Sequence, residues 1–182
     1  CPPPADFSLG YVWAVYPDYD IYTATPQGKN ITNLTNSPGY DAEATVSPNG
    51  KKIVFTSERE GDLDLYSMDI DGKNVKRLTN ELGYDGGAFF SPDSKQIVYR
   101  GAHPTTPADI TKYKDLLAHH LIVPTTFEVW TMNADGSNKR QVTKLNAASF
   151  APPSAAASWH RARAPAPAGR NGVAPGCPRR SA

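Results

Sequence analysis

The decisive stretch reads Tyr-Asp-Ala-Glu-Ala-Thr-Val-Ser-Pro-Asn-Gly-Lys-Lys-Ile-Val-Phe-Thr-Ser (40–57), then Asp-Leu-Tyr-Ser-Met-Asp-Ile-Asp-Gly (64–72), and closes on Lys-Arg-Leu-Thr (76–79). Its pieces return 44 residues later: Tyr40-Asp41 as Tyr84-Asp85, Ser47-Pro48-Asn49 as Ser91-Pro92-Asp93, and Ile53-Val54-Phe55 as Ile97-Val98-Tyr99. The same step backwards lays Leu65-Tyr66 on Ile21-Tyr22 and Leu78-Thr79 on Leu34-Thr35. Pro48 presets φ and Asn49-Gly50 tolerates positive φ, so 48–51 reads as a tight turn. Asp71-Gly72 reads as a second hairpin turn. The short apolar run Ile53-Val54-Phe55 fits a strand covered on both faces. A unit of about 40–45 residues made of short strands hides its faces only against copies of itself, as propeller blades do. The expectation is an all-β chain, an incomplete β-propeller of four-stranded antiparallel blades.

Working outward, the blades fall at about 11–36, 41–79 and 85–143, with the start of a fourth at 146–151. The first reads as the back half of a blade, with strands at 11–16, 20–24 and 31–35. The second is uninterrupted, with strands at 42–47, 52–57, 63–70 and 74–79. The third has strands at 87–91, 96–100, 127–132 and 140–143, with Asp135-Gly136 as its hairpin turn. The repeat motif assigns structural roles to Tyr40, Asp41, Ser47, Pro48, Gly50, Tyr66, Asp71, Gly72, Leu78, Thr79, Tyr84, Asp85, Ser91, Pro92, Asp93, Trp130, Asp135 and Gly136. Tyr40-Asp41 and Tyr84-Asp85 precede successive inner strands, where they would face the channel mouth or bridge blades through backbone amides. Trp13, Tyr66 and Trp130 read as blade-packing aromatics.

From Leu78-Thr79 to Val142-Thr143 the step lengthens to 64 residues, so about 20 are extra, and they fall within 101–126. There Ile110, Tyr113, Leu117 and Leu121 have helical spacing after Pro107. This predicts a short helix over 110–121 on a surface loop. Loops on a rigid scaffold often carry function, which makes Tyr113, His119 and His120 the candidate partner contacts.

Pro2-Pro3-Pro4 fixes φ and removes backbone donors, so 1–10 reads as an extended leader. Residues 151–182 hold ten Ala, six Pro and five Arg with no acid. Two readings stay open for this tail over 152–182: a disordered Ala/Pro/Arg segment, or a non-native continuation such as a shifted reading frame. Residues 1–150 carry 14 Lys/Arg against 18 Asp/Glu. That mildly acidic body argues against a nucleic-acid partner, which needs a clustered basic face. No apolar run approaches a membrane span, and no signal peptide is visible. Cys1 and Cys177 stand outside the repeats and form neither a disulfide framework nor a metal site. Unpaired edges at both ends predict a chain of low solubility.

Enzyme signatures are missing: there is no Gly-x-Ser-x-Gly elbow, zinc helix or phosphate loop. His119-His120 are adjacent, unlike the i, i+4 spacing that chelates a metal on a helix. The acids Asp62, Asp64, Asp69 and Asp71 lack the spacing and late Glu of a calcium loop and read as turn chemistry. Asn30-Ile31-Thr32 and Asn33-Leu34-Thr35 match the glycosylation sequon, the second better explained as repeat. No cofactor and no metal are expected.

The segments 47–55, 64–72 and 76–79 resemble the TolB-type, WD-like propeller repeat over residues 11–151. The resemblance implies a six-bladed parent, a periplasmic or secreted location, and a non-enzymatic module presenting loops to a protein or peptide partner. A second reading stands behind it as the alternative: the propeller of a prolyl-oligopeptidase-like serine peptidase whose catalytic domain lies outside this chain.

Overall fold

The computed structural model describes residues 10–124 and 126–147. The leader over 1–9, the fourth-blade start from Ala148 onward, the tail and both cysteines lie outside the described residues. In chain order the strands are β1 (Trp13–Ala14), β2 (Tyr22–Thr23), β3 (Thr32–Asn33), β4 (Asp41–Val46), β5 (Lys52–Ser57), β6 (Asp64–Asp69), β7 (Lys76–Arg77), β8 (Tyr84–Phe90) and β9 (Gln96–Ala102). Helix α1 (Pro107–Ala118) follows, then β10 (Leu121–Ile122), β11 (Glu128–Asn133) and β12 (Arg140–Gln141). Two four-stranded antiparallel sheets, β4-β5-β6-β7 and β8-β9-β11-β12, accompany a β2-β3 hairpin and a β1-β10 pair.

Strand alternation explains how the sheets stack. Residues opposite one another across β5 and β6 share a face. One face therefore carries Ile53, Phe55, Tyr66 and Met68, and the other Val54 and Leu65. The first set packs with Ile21 and Leu34 of the preceding hairpin. The second packs with Ala88, Phe90, Ile97, Tyr99 and Met132 of the following sheet, and Trp130 joins from its rim. Strand β5 is buried on both sides, as its apolar run requires. Each such fully buried side chain stabilises by about 1.5–3 kcal/mol relative to exposure.

Three devices repeat with the unit. In each inner strand a bulge interrupts the register, between Ala42 and Thr45 and between Gly86 and Phe89. Its left-handed residue is Glu43 (φ 55°) in β4 and Gly87 (φ 56°) in β8. A Cβ on Gly87 would run into the Arg100 guanidinium, so glycine is required there. At the first hairpin turn, Ser47 Oγ accepts from Lys52 N (2.9 Å) and donates to Asn49. Ser91 does the same with Gln96 N and Asp93. At the outer strand a threonine hydroxyl accepts a backbone N–H and donates to a carboxylate. The sets are Thr35 with Ile21 N and Asp20, Thr79 with Leu65 N and Asp64, and Thr143 with Val129 N and Glu128.

The insertion departs from the sequence expectation in three respects. The helix starts earlier and stops earlier than 110–121, because Thr106 caps it by accepting from Asp109 N, Pro107 occupies its first turn, and His120 adopts a left-handed φ of 57°. Leu121 consequently lies in β10, where it pairs with Ala14. The segment is also not a free surface loop: Leu117 and Ile122 are buried with Val15, Leu63, Tyr84 and Phe127. Finally, Trp13–Ala14, read as part of the 11–36 unit, pairs with β10 of the insertion, and Val15 N donates to His120 O (2.8 Å) beside it.

Candidate functional site

The β5–β6, β7–β8 and β9–β11 connections emerge at one end of the two sheets, and α1 lies across that end. The motif aspartates sit beneath it. Asp41 is fully buried and accepts from Arg59 Nη2 (3.0 and 3.2 Å) and Ser37 Oγ (2.6 Å). Asp85 is equally buried and contacts His103 Nε2 at 3.0 Å. The 44-residue step that carries Asp41 to Asp85 also carries Arg59 to His103. The same clamp is thus permanently charged in one blade and titratable in the next. Both aspartate side chains engage a side chain of the following connection, while their own backbone amides bridge to the preceding unit, Asp41 N donating to Tyr19 O (2.8 Å) and Asp85 N to Leu63 O (2.7 Å). Burial alone would lower the His103 pKa, but the Asp85 hydrogen bond and charge outweigh it and raise it. Burial also lifts Asp85 above the usual carboxylate range despite that partner.

Asp62 fastens the helix. Its carboxylate accepts from Tyr113 OH (2.5 Å), Gly83 N (3.0 Å) and Leu63 N (2.9 Å), tying α1 to two connections at once. Burial first, then the Asp62 charge, pushes the Tyr113 hydroxyl well up, so it stays a donor. Closer to the inner strands, Glu43 accepts from Tyr84 OH (2.7 Å), Gly87 N (2.7 Å), Thr56 Oγ1 (3.0 Å) and Arg100 Nη2 (3.0 Å). The Arg100 guanidinium lies 5.6 Å from the ring centroids of Trp13 and Phe127.

Between α1 and the β9–β11 edge opens a cleft of about 810 Å³. Asp109, Lys112, Tyr113 and Leu116 line it from the helix, at the i, i+3, i+4, i+7 spacing of one helical face. His103, Val123, Glu128, Trp130 and Lys144 are among the residues opposite. The His103 ring sits 5.2 Å from that of Trp130. Gly101 forms the floor, and a Cβ there would meet Asp85 Oδ1 and Trp130 Nε1 within 3 Å.

The structure separates the candidate partner contacts. Tyr113 turns inward to Asp62, whereas His119 and His120 are exposed at the far end of α1, His119 Nδ1 lying 2.7 Å from Asp115 O. The acids Asp62, Asp64, Asp69 and Asp71 also go separate ways: Asp62 to Tyr113, Asp64 to Arg77 and Thr79, Asp69 to Lys52 and Asn74, Asp71 to Lys73. Among the described residues no three His, Cys, Asp or Glu converge on a metal-sized site. No described helix is long and apolar enough to cross a membrane. Asn33 of the second sequon donates to Asp20 Oδ2 (2.8 Å). Of the remaining motif residues, Tyr40 joins the packing around β1 and β10 and stacks on Tyr19. Pro48, Gly50, Gly72, Pro92 and Gly136 lie in the hairpin turns. Asp71 and Asp135 cap theirs through Lys73 N and Ser137 N.

Sequence reasoning missed Glu43, Arg100, the Asp85–His103 pair and the cleft cations Lys112 and Lys144. The repeat step itself held the signal for two of them, because it aligns Glu43 with Gly87 and Arg59 with His103.

The geometry agrees with comparisons to known proteins. The family model for the TolB beta propeller domain matches residues 12–114. The Tol-Pal system protein TolB of Bordetella pertussis is 47% identical over 34 residues, covering 19% of this chain and 8% of its own length. A TolB structure from Agrobacterium tumefaciens superposes with a TM-score of 0.54 at 24% identity, over 67% of this chain and 40% of that one. A puromycin-hydrolyzing peptidase of Mycobacterium tuberculosis superposes with a TM-score of 0.51 at 16% identity, over 72% of this chain and 20% of its own. At those identities the two structural likenesses concern the fold alone. The chain spans 8% of that curated relative's length and less than half of either structure's, and on the family match it belongs to the TolB beta propeller domain family.

Proposed function

We propose that this chain is part of a non-enzymatic propeller that binds a protein or peptide partner, with the α1 end of the sheets as its recognition face. The observation that carries this reading is the insertion itself. About 20 residues absent from the preceding repeat are fixed to the scaffold by Leu117, Ile122 and the Tyr113–Asp62 bond, and they wall a cleft that the plain blade lacks. A rigidly held loop presents a surface without the ordering cost a mobile one would incur on binding. A periplasmic or secreted location follows from the same family reading. The test is to select binders from a displayed random-peptide library, then repeat the binding with residues 102–127 replaced by the shorter 58–63 connection of the preceding blade. Loss of binding supports the proposal. Binders indifferent to the replacement, or none at all, would refute it.

The likeness to a peptidase propeller favours one second reading, in which this propeller gates a hydrolase domain elsewhere in the parent protein. Reading the gene downstream in all frames decides it. An α/β-hydrolase domain with a Gly-x-Ser-x-Gly elbow supports that reading, and further blades followed by a stop refute it.

A further inference from the structure

The cleft has a definite chemical bias. Its two acids are already engaged: Asp109 accepts from Thr106 Oγ1 (2.6 Å) at the helix cap. Glu128 accepts from Thr143 Oγ1 and from the backbone of Leu145 and Asn146 (both 2.7 Å). Its cations are not. Lys112 and Lys144 are exposed, line the cleft and have no ion pair among the described residues. The open hydrogen-bonding capacity of the walls is thus weighted to donors, two of them charged, beside the apolar surface of Leu116, Val123 and Trp130.

Building on the reading above, we propose that the α1 cleft binds an extended peptide segment in which a carboxylate side chain neighbours an apolar one. The carboxylate reaches Lys112 and Lys144, and the apolar side chain rests on Trp130 and Leu116. Basic or neutral polar segments would leave both ammonium groups unpaired. The residues before 151 carry four more acidic than basic side chains, so acidic peptides are repelled by the body as a whole. Any affinity for them rests on the two ammonium groups lying within reach of the bound segment, while Asp109 and Glu128 keep their oxygens on the protein's own donors.

The test uses the full chain and three fluorescein-labelled octapeptides: alternating Glu and Leu, the Gln/Leu analogue and the Lys/Leu analogue, with binding read by fluorescence anisotropy. The Glu/Leu peptide should bind at least about tenfold more tightly than either analogue, and more weakly as salt rises. The paired reversal Lys112→Glu with Lys144→Glu should cost about tenfold or more. The control pair Lys29→Glu with Lys51→Glu, on turns outside the cleft, should change affinity less than about twofold. Far-UV circular dichroism checks that both pairs keep the fold. Hydrogen exchange should place the protection on α1 and β9. Equal binding of the Gln analogue, or indifference to the Lys112/Lys144 reversal, would overturn the proposal. Protection confined to the β5–β6 and β7–β8 connections would overturn it too, while leaving the α1 end of the sheets as the recognition face. Failure of all three peptides to bind would overturn it as well, and the library selection then decides the broader reading by itself.

Discussion

The threonine clamp can be weighed from the structure, because one chemistry recurs at one buried and two half-buried positions. Replacing Thr79 by Val keeps the side-chain shape and deletes a hydroxyl that accepts from Leu65 N (2.9 Å) and donates to Asp64 Oδ1 (3.2 Å). Thr79 is 1% exposed, and Leu65 and Asp64 are fully buried. Water therefore has no route to the orphaned amide, and leaving a buried donor unsatisfied costs about 1–3 kcal/mol. Asp64 keeps its Arg77 Nη2 partner at 2.5 Å, which limits the second loss. The expected destabilisation is about 2–3 kcal/mol. Thr35→Val and Thr143→Val remove the corresponding bonds to Ile21 N (3.0 Å) and Val129 N (2.8 Å), but at half-buried threonines where water can substitute. Each should cost about 0.5–1 kcal/mol. Urea unfolding of the three variants gives the totals, and amide exchange at Leu65 reports the local effect. Thr79→Ser should restore most of the loss. Equal costs at all three positions, or a Thr79→Val variant within about 0.5 kcal/mol of the parent, would show that the hydroxyl is not what holds the outer strand.

Other perturbations follow from the same geometry. The folded-state pKa of His103 is raised by Asp85, so the stability it contributes is full below about pH 6.5 and is lost as pH rises through the folded value. Asp64 is held up to about 6, by burial against the opposing Arg77 bond, so its ionisation erodes stability as pH climbs from the ordinary carboxylate range to about 6. Urea midpoints should therefore fall from pH 5.5 to 8.5, and His103→Arg, which reinstates the Asp41–Arg59 arrangement, should flatten the upper part of that fall; a variant with the parent's slope would contradict it. Leu117→Ala empties part of the cluster with Val15, Leu63, Tyr84 and Phe127 and should cost about 2–4 kcal/mol, with early exchange of the Val15 amide. Glu43→Ala leaves the left-handed backbone at position 43 unrelieved, strips Gly87 N of its acceptor, and deprives Arg100 Nη2 and Tyr84 OH of the carboxylate though not of each other; calorimetry should find a net loss of about 2–3 kcal/mol.

The blade architecture was legible in the sequence because it rests on local causes repeated at a fixed step. Ser47-Pro48-Asn49-Gly50 makes its turn from its own side chains, and Ile53-Val54-Phe55 signals a strand buried on both faces whichever blade it meets. The length of the insertion was readable for the same reason, as a defect in the period. Only the tertiary structure decided where that insertion goes. Leu121 fits a helical stripe as well as it fits β10, and the choice is made by Trp13–Ala14, more than a hundred residues away in the chain. Likewise, no spacing rule joins Asp62 to Tyr113 or Glu43 to Arg100, since these partners meet through packing between blades and not along one strand. Periodicity reports contacts that every copy makes, and a site built from what one copy has and its neighbours lack emerges only once the copies are stacked.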